Sequence, residues 1–157
     1  MATKSPKASP SKKQAIKLKA WHYLLLLVIP VVVFGRSAFF GFVMHDDDKM
    51  ILENQVIRQG FNPGVAFKTD AWFMDSRIEL YRAWQSITYM VDYAVGKESP
   101  VIYHMHNLVI FIAGIFLLFA FLRFYFKPPL AWAGASLYSV NLLTPHVTGW
   151  IAARGDL

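Results

Sequence analysis

Three adjacent carboxylates, Asp46-Asp47-Asp48, follow His45 at the end of a long apolar run. Gathered carboxylates repel one another unless a cation, a helix amino terminus or water offsets them. Two readings of the cluster stand side by side. One is chemical: a general base or a divalent-cation ligand at the outer face of a membrane. The other is structural: Asp48 caps a helix over 48–58, and its neighbours complement the helix dipole. Capping needs one residue, which leaves Asp46 and Asp47 over. Further along the chain, Arg77, Arg82 and Arg154 are candidate anion binders. A guanidinium grips phosphate bidentately and keeps its charge on partial burial. Headgroup contact is the plainer role for such arginines. His104 and His106 are two residues apart, so on a helix they diverge and do not easily share one metal. Interfacial hydrogen bonding is the expected role there, and His146, after Pro145, is open in the same way. No Walker loop, GxSxG, HExxH or glycosylation sequon occurs, and zero cysteine excludes disulfides, thiolate zinc sites and cysteine nucleophiles.

The elements that must position these residues are apolar. Of 157 residues, 55% are hydrophobic and 17% charged, against about 25% charged in soluble domains. That displacement points to a membrane protein. Trp21–Val43 carries Arg36 as its only charge, and Ser99–Leu122 and Pro128–Ala153 carry none. About 20 apolar residues cross a bilayer as a helix, and none of the three stretches alternates as a barrel strand would. Three transmembrane helices are therefore expected, over about 21–43, 104–122 and 129–150. Arg36 sits near the far end of the first, where its side chain can snorkel. A cleaved leader is the alternative for residues 1–38, but the apolar run continues past Arg36 and no A-x-A site follows.

Charge sets the orientation. The first 20 residues hold six lysines and no acid, whereas residues 21–157 balance ten Lys/Arg against ten Asp/Glu. The net charge of +6 thus sits in a tail expected to be disordered and cytosolic. It acts as a topogenic signal, and no nucleic-acid partner is expected. The hinge Arg123–Lys127 is then cytosolic too. The loop 44–103 and the end Trp150–Leu157 face the outer side together. Within the loop, 48–58 reads as a short helix with Ile51, Val56 and Ile57 to bury, and Gly60–Gly64 as a break. From Trp72 to Val95, the residues Leu80, Trp84, Ile87, Val91 and Val95 share one helical face. Such a helix suits the membrane interface.

Several short motifs succeed one another in order. Asp46-Asp47-x-x-x-Ile51-x-x-Asn54 follows the first span. Trp72-Phe73, Tyr81-Arg82 and Pro100-x-x-Tyr103-His104-x-x-Asn107-Leu108 come next. Trp150-Ile151-x-x-Arg154-x-Asp156-Leu157 closes the series. Over residues 30–157 the succession resembles the amino-terminal part of the transmembrane and tetratricopeptide-repeat mannosyltransferases and their bacterial relatives, within the GT-C superfamily of membrane glycosyltransferases. Two departures are plain. Relatives carry Tyr-Arg-Pro-Leu where this chain has Tyr81-Arg82-Ala83-Trp84, and a His-Pro-x-His run where it has Asn141-Leu142-Leu143-Thr144.

The resemblance implies an all-α integral membrane protein: the amino-terminal part of a GT-C-like helix bundle with a helical extracytoplasmic first loop. It implies transfer of a mannose-like sugar from a polyprenyl-phosphate carrier to a protein hydroxyl or glycan acceptor at the outer face. Asp46 and Asp47 match the catalytic carboxylates, which accept the acceptor's proton or hold a divalent cation such as magnesium or manganese. Arg82, Arg154 and His104 fall in the motifs expected to bind the lipid phosphate. Family members have more spans, often followed by 34-residue helical repeats, so this chain is expected to be an amino-terminal fragment, inactive alone. A bacterial inner membrane is favoured because the compact loop lacks a sequon; the endoplasmic reticulum is the alternative. The competing function is a non-catalytic membrane scaffold or assembly subunit whose acidic loop binds a partner or cation.

Overall fold

A computed structural model describes residues 17–44, 46–71, 81–141 and 148–157. Among these residues all regular structure is helical, with no strand. Helix α1 (Ala20–Phe34) runs into a 3-10 turn, Gly35–Phe39. A π-helical turn (Asp48–Leu52) and two short helices, α2 (Gln55–Arg58) and α3 (Pro63–Ala66), lie in the loop segment 46–71. Helix α4 (Ala83–Gly96) leads into α5 (Pro100–Tyr125) and α6 (Pro128–Tyr138), and the chain closes in a 3-10 segment, Ile151–Asp156.

Two of these elements, Ala20–Phe39 and Pro100–Tyr125, are long and apolar enough to cross a membrane. The packed core of a soluble protein would hide such helices. Here only 28% and 22% of their apolar stretches are buried, which leaves most of that surface for lipid. The third expected span is described as helix only over α6, and residues 142–147 fall outside the described set.

α5 is the shared spine. Its buried residues recur every three or four positions, as a single helical stripe must. Toward its carboxyl end they are Leu108, Phe111, Ile115 and Phe119; toward its amino end they are Tyr103, His104 and Asn107. The apolar half meets Leu26 and Phe34 of α1 and Ala131 and Ala135 of α6. Phe34 meets Phe111 edge-on at 5.6 Å, and Tyr23 meets Phe119 at 5.7 Å. The pairing order makes α1 and α5 antiparallel. Alanines at 131 and 135 let α6 approach closely, the usual device for helices that pack in lipid.

The polar half of α5 enters a second core built from the loop segment 46–71, α4 and the closing segment. Met50, Ile51, Ile57, Met90 and Ile151 fill it. Within the loop, the expected continuous helix over 48–58 divides in two. Asp48 is already inside the π-helical turn; Asp47 holds the cap position before it and makes no side-chain cap there. Asn54 caps α2 instead, accepting from the Val56 and Ile57 amides, and donates to the Met50 carbonyl at 3.1 Å. A buried side chain bonded on both sides ends one turn and starts the next.

On α4 the apolar residues Trp84, Val91 and Val95 are exposed, at 74%, 40% and 71%, while Ile87 packs partly against the core and Leu80 lies outside the described residues. The buried face of α4 carries Ala83, Gln85, Ser86, Tyr89, Met90 and Asp92. The polar groups turn inward because their partners, α5 and the closing segment, lie on that side.

Candidate functional site

The site grows from Asp47, the residue immediately before the π-helical turn. Its carboxylate is fully buried. Oδ2 accepts the Val43 amide and Oδ1 the Ala152 amide, each at 2.8 Å. Asp47 therefore has a structural role that its position in the acidic run does not reveal: it joins residues 105 apart in sequence. Burial pushes its carboxyl above the usual value. The two amides and His104 pull it back only in part, and the neighbouring Asp46 adds to the rise. Asp46 itself is half-buried.

The closing segment is held from its other side by α4. Gln85 donates through Nε2 to the Ala152 carbonyl and to the Tyr89 hydroxyl, both at 2.7 Å. Tyr89 donates in turn to the Ile151 carbonyl at 2.9 Å. Burial raises the Tyr89 phenol well above its ordinary value, so it stays a donor.

Arg154 lies at the centre. Nε donates to Asn107 Oδ1 at 2.6 Å, Nη1 to Thr88 Oγ1 at 2.9 Å and Nη2 to the Tyr103 carbonyl at 3.0 Å. Nη1 also pairs with Asp92 Oδ2 at 2.6 Å, and the guanidinium stacks over the Tyr89 ring at 4.6 Å. The other Asp92 oxygen contacts His106 Nδ1 at 2.5 Å. A buried charge needs such company, since an unpaired one costs several kcal/mol, about 3–5 when a partner is removed.

His104 is buried on the same end of α5. Its Nδ1 lies 3.3 Å from the Thr148 carbonyl and its Nε2 3.3 Å from the Gly41 carbonyl. It bridges the exit of the first span to the last segment, while His106 faces Asp92; the two rings serve different partners.

Arg82 differs from Arg154. Its side chain is a third exposed, with Gln85 Oε1 3.4 Å away and Asp156 at 4.0 Å. Together with Tyr81, Ala83, Trp84, Gln85 and Gly155 it lines an open cleft of about 320 Å³. Gly155 matters here, because a side-chain carbon at 155 would press within 3.0 Å of Gln85 and 3.1 Å of Arg82.

The structure thus brings Asp47, His104 and Arg154 into one bonded cluster, with Asp46 and Arg82 at its accessible margins. Asp46 and Arg82 retain access to solvent or ligand; Asp47, His104 and Arg154 face protein partners. His45, Arg77 and His146 lie outside the described residues. For a divalent cation the donor set is thin. Among the described residues no group of three or more His, Asp or Glu could hold a metal, and both Asp47 oxygens already accept amides.

Four residues of the cluster escape a search for motifs: Gln85, Thr88, Tyr89 and Asp92. Their signal is three- and four-residue spacing of hydrogen-bonding groups along α4, on a face that an apolar count assigns to solvent. No protein-family profile, curated protein or solved structure matches the chain.

Proposed function

We propose that this chain is the amino-terminal part of a GT-C-like membrane glycosyltransferase, working at the outer face on a polyprenyl-phosphate sugar. The carrying observation is convergence. The carboxylate after the first span, Tyr81-Arg82, Tyr103-His104-Asn107 and the closing Arg154 segment meet in one cluster from four separated stretches of sequence. In this reading Asp46 is the general base. It takes the proton of the acceptor hydroxyl as that oxygen bonds to the sugar's anomeric carbon. The bond from that carbon to the phosphate breaks, and the polyprenyl phosphate leaves with its charge against Arg82. Asp47, His104 and Arg154 hold the frame in which the two meet. The acceptor is a protein hydroxyl or a glycan, and the sugar is mannose-like. A divalent cation such as magnesium or manganese would be held by Asp46, because both Asp47 oxygens already accept amides.

The path of the chain supports a third span in this reading. α5 leaves the cluster and ends at the opposite end, where α6 starts. Ala152 is nonetheless bonded to Asp47, which supports a return of the chain across the same thickness after α6.

The test is sugar transfer in membranes that carry the native gene product, with radiolabelled polyprenyl-phosphate mannose. Asp46→Asn is expected to lower transfer at least about 100-fold, the scale of a lost general base, with membrane insertion unchanged. Wild-type transfer by Asp46→Asn would remove the catalytic assignment. One observation favours a scaffold instead: Asp47 and Arg154 are saturated by protein partners. That reading expects no transfer by the wild-type protein and full tolerance of Asp46→Glu, which keeps the charge, in partner binding.

A further inference from the structure

Nine of the ten Asp and Glu residues lie between Asp46 and Glu98 and the tenth is Asp156; residues 1–45 and 99–155 contain none. The fold turns this segregation along the sequence into segregation in space. The start of α1, the end of α5 and the start of α6 come together at the end remote from Asp47. The Trp132 indole donates to the His22 carbonyl at 2.8 Å. Trp21 stacks on His22 at 3.5 Å and meets Trp132 edge-on at 6.3 Å. At this end Lys17 and Lys19 lead into α1, Arg123 lies in the last turn of α5 and Lys127 caps the start of α6, and all four are exposed. None of the ion pairs among the described residues involves them.

Depth is fixed by the same residues. Tryptophan favours the bilayer interface. α5 has 26 residues, about 39 Å of helix against a hydrocarbon core of about 30 Å, so its last turn carries Arg123 to headgroup level.

We propose that this end of the molecule is a binding surface for acidic phospholipid headgroups. Four cations from three separate segments form one face, Trp21 and Trp132 seat it at the interface, and lipid phosphates supply the anions that the protein lacks there. An orienting signal needs only the charges in sequence. Here tertiary contacts gather them, and juxtamembrane basic residues recruit anionic lipid through the surface field. The inference stands apart from sugar transfer.

The experiment uses the full chain in bilayers of phosphatidylcholine and phosphatidylglycerol at three to one. The lipid that stays bound after mild detergent extraction is quantified by mass spectrometry. The bound phosphatidylglycerol share is expected to exceed the bulk share at least about threefold and to fall as salt screens the surface. The quadruple variant Lys17→Gln, Lys19→Gln, Arg123→Gln, Lys127→Gln should return it to the bulk value. A control that removes four charges at the other end (Lys49→Gln, Arg58→Gln, Lys68→Gln, Lys97→Gln) should keep it. The four single substitutions, each lowering enrichment in part, serve if the quadruple variant does not insert. A wild-type share equal to bulk overturns the proposal, as does enrichment that survives in the basic-face variants. An equal fall in the control does so too, because net charge would then be the cause.

Discussion

A carboxylate with no exposure sits where two amides and a histidine converge, and burial still dominates its ionisation. The raised Asp47 carboxyl holds its proton to a higher pH in the folded chain than in the unfolded one. The stability it contributes is therefore complete below the ordinary carboxylate value and is lost as pH rises through the raised folded value. Asp47→Asn removes that dependence. It also turns an amide group toward one of the Val43 and Ala152 N–H donors, so the variant starts less stable. On acidification from pH 7 to pH 4, the wild-type chain is expected to gain stability over Asp47→Asn. Thermal unfolding of both in detergent micelles measures the gap; parallel profiles, or a gap that closes toward pH 4, would contradict the assignment. Arg154 shows the complementary case. Its charge is tolerable inside because Asp92, Asn107, Thr88 and the Tyr103 carbonyl surround it.

Among the elements, the turn between α4 and α5 is the tightest joint. Lys97 adopts a positive φ of 53°, and the Tyr103 hydroxyl donates back to its carbonyl at 2.9 Å. A side-chain carbon on Gly96 would collide with Ile102, so the two helices close only over glycine. Gly96→Ala is expected to destabilise by about 1–3 kcal/mol, the usual cost of overpacking, seen as a lower unfolding temperature. An unchanged midpoint would mean that the turn has room to open. The apolar stretches made α1 and α5 legible from sequence, since crossing hydrocarbon demands an uninterrupted run. Arg154 and His104 were legible as functional candidates, but not as a buried bridge, because their partners lie 44 to 66 residues away. The inward face of α4 was not legible. An apolar stripe of Trp84, Val91 and Val95 normally marks a core face, and only tertiary partners for Gln85, Tyr89 and Asp92 reverse that preference. Asn54 escaped for a simpler reason: the more acidic Asp48 offered a competing cap six residues earlier.

For the whole molecule, the two cores impose a polarity that labelling can read. One core is apolar and packed between α1, α5 and α6; the other joins the loop after α1 and helix α4 to the closing segment through Asp47, Gln85 and Arg154. Residues bonded across the second core must share a compartment, whichever compartment that is. The chain has no cysteine, so any introduced one is a unique probe. Gln59, Lys127 and Asp156 are exposed, and none of the three bonds to Asp47. On sealed, right-side-out membranes, a membrane-impermeant maleimide is expected to label Gln59→Cys and Asp156→Cys. Lys127→Cys should react only after permeabilisation, as six tail lysines on the inner side require. The reverse pattern would invert the orientation and carry the acceptor chemistry of Asp46 to the cytosol. Labelling of Gln59→Cys without Asp156→Cys would break the bond between Asp47 and Ala152 in the membrane-embedded protein. With it would go the third crossing and the convergence on which the glycosyltransferase reading stands.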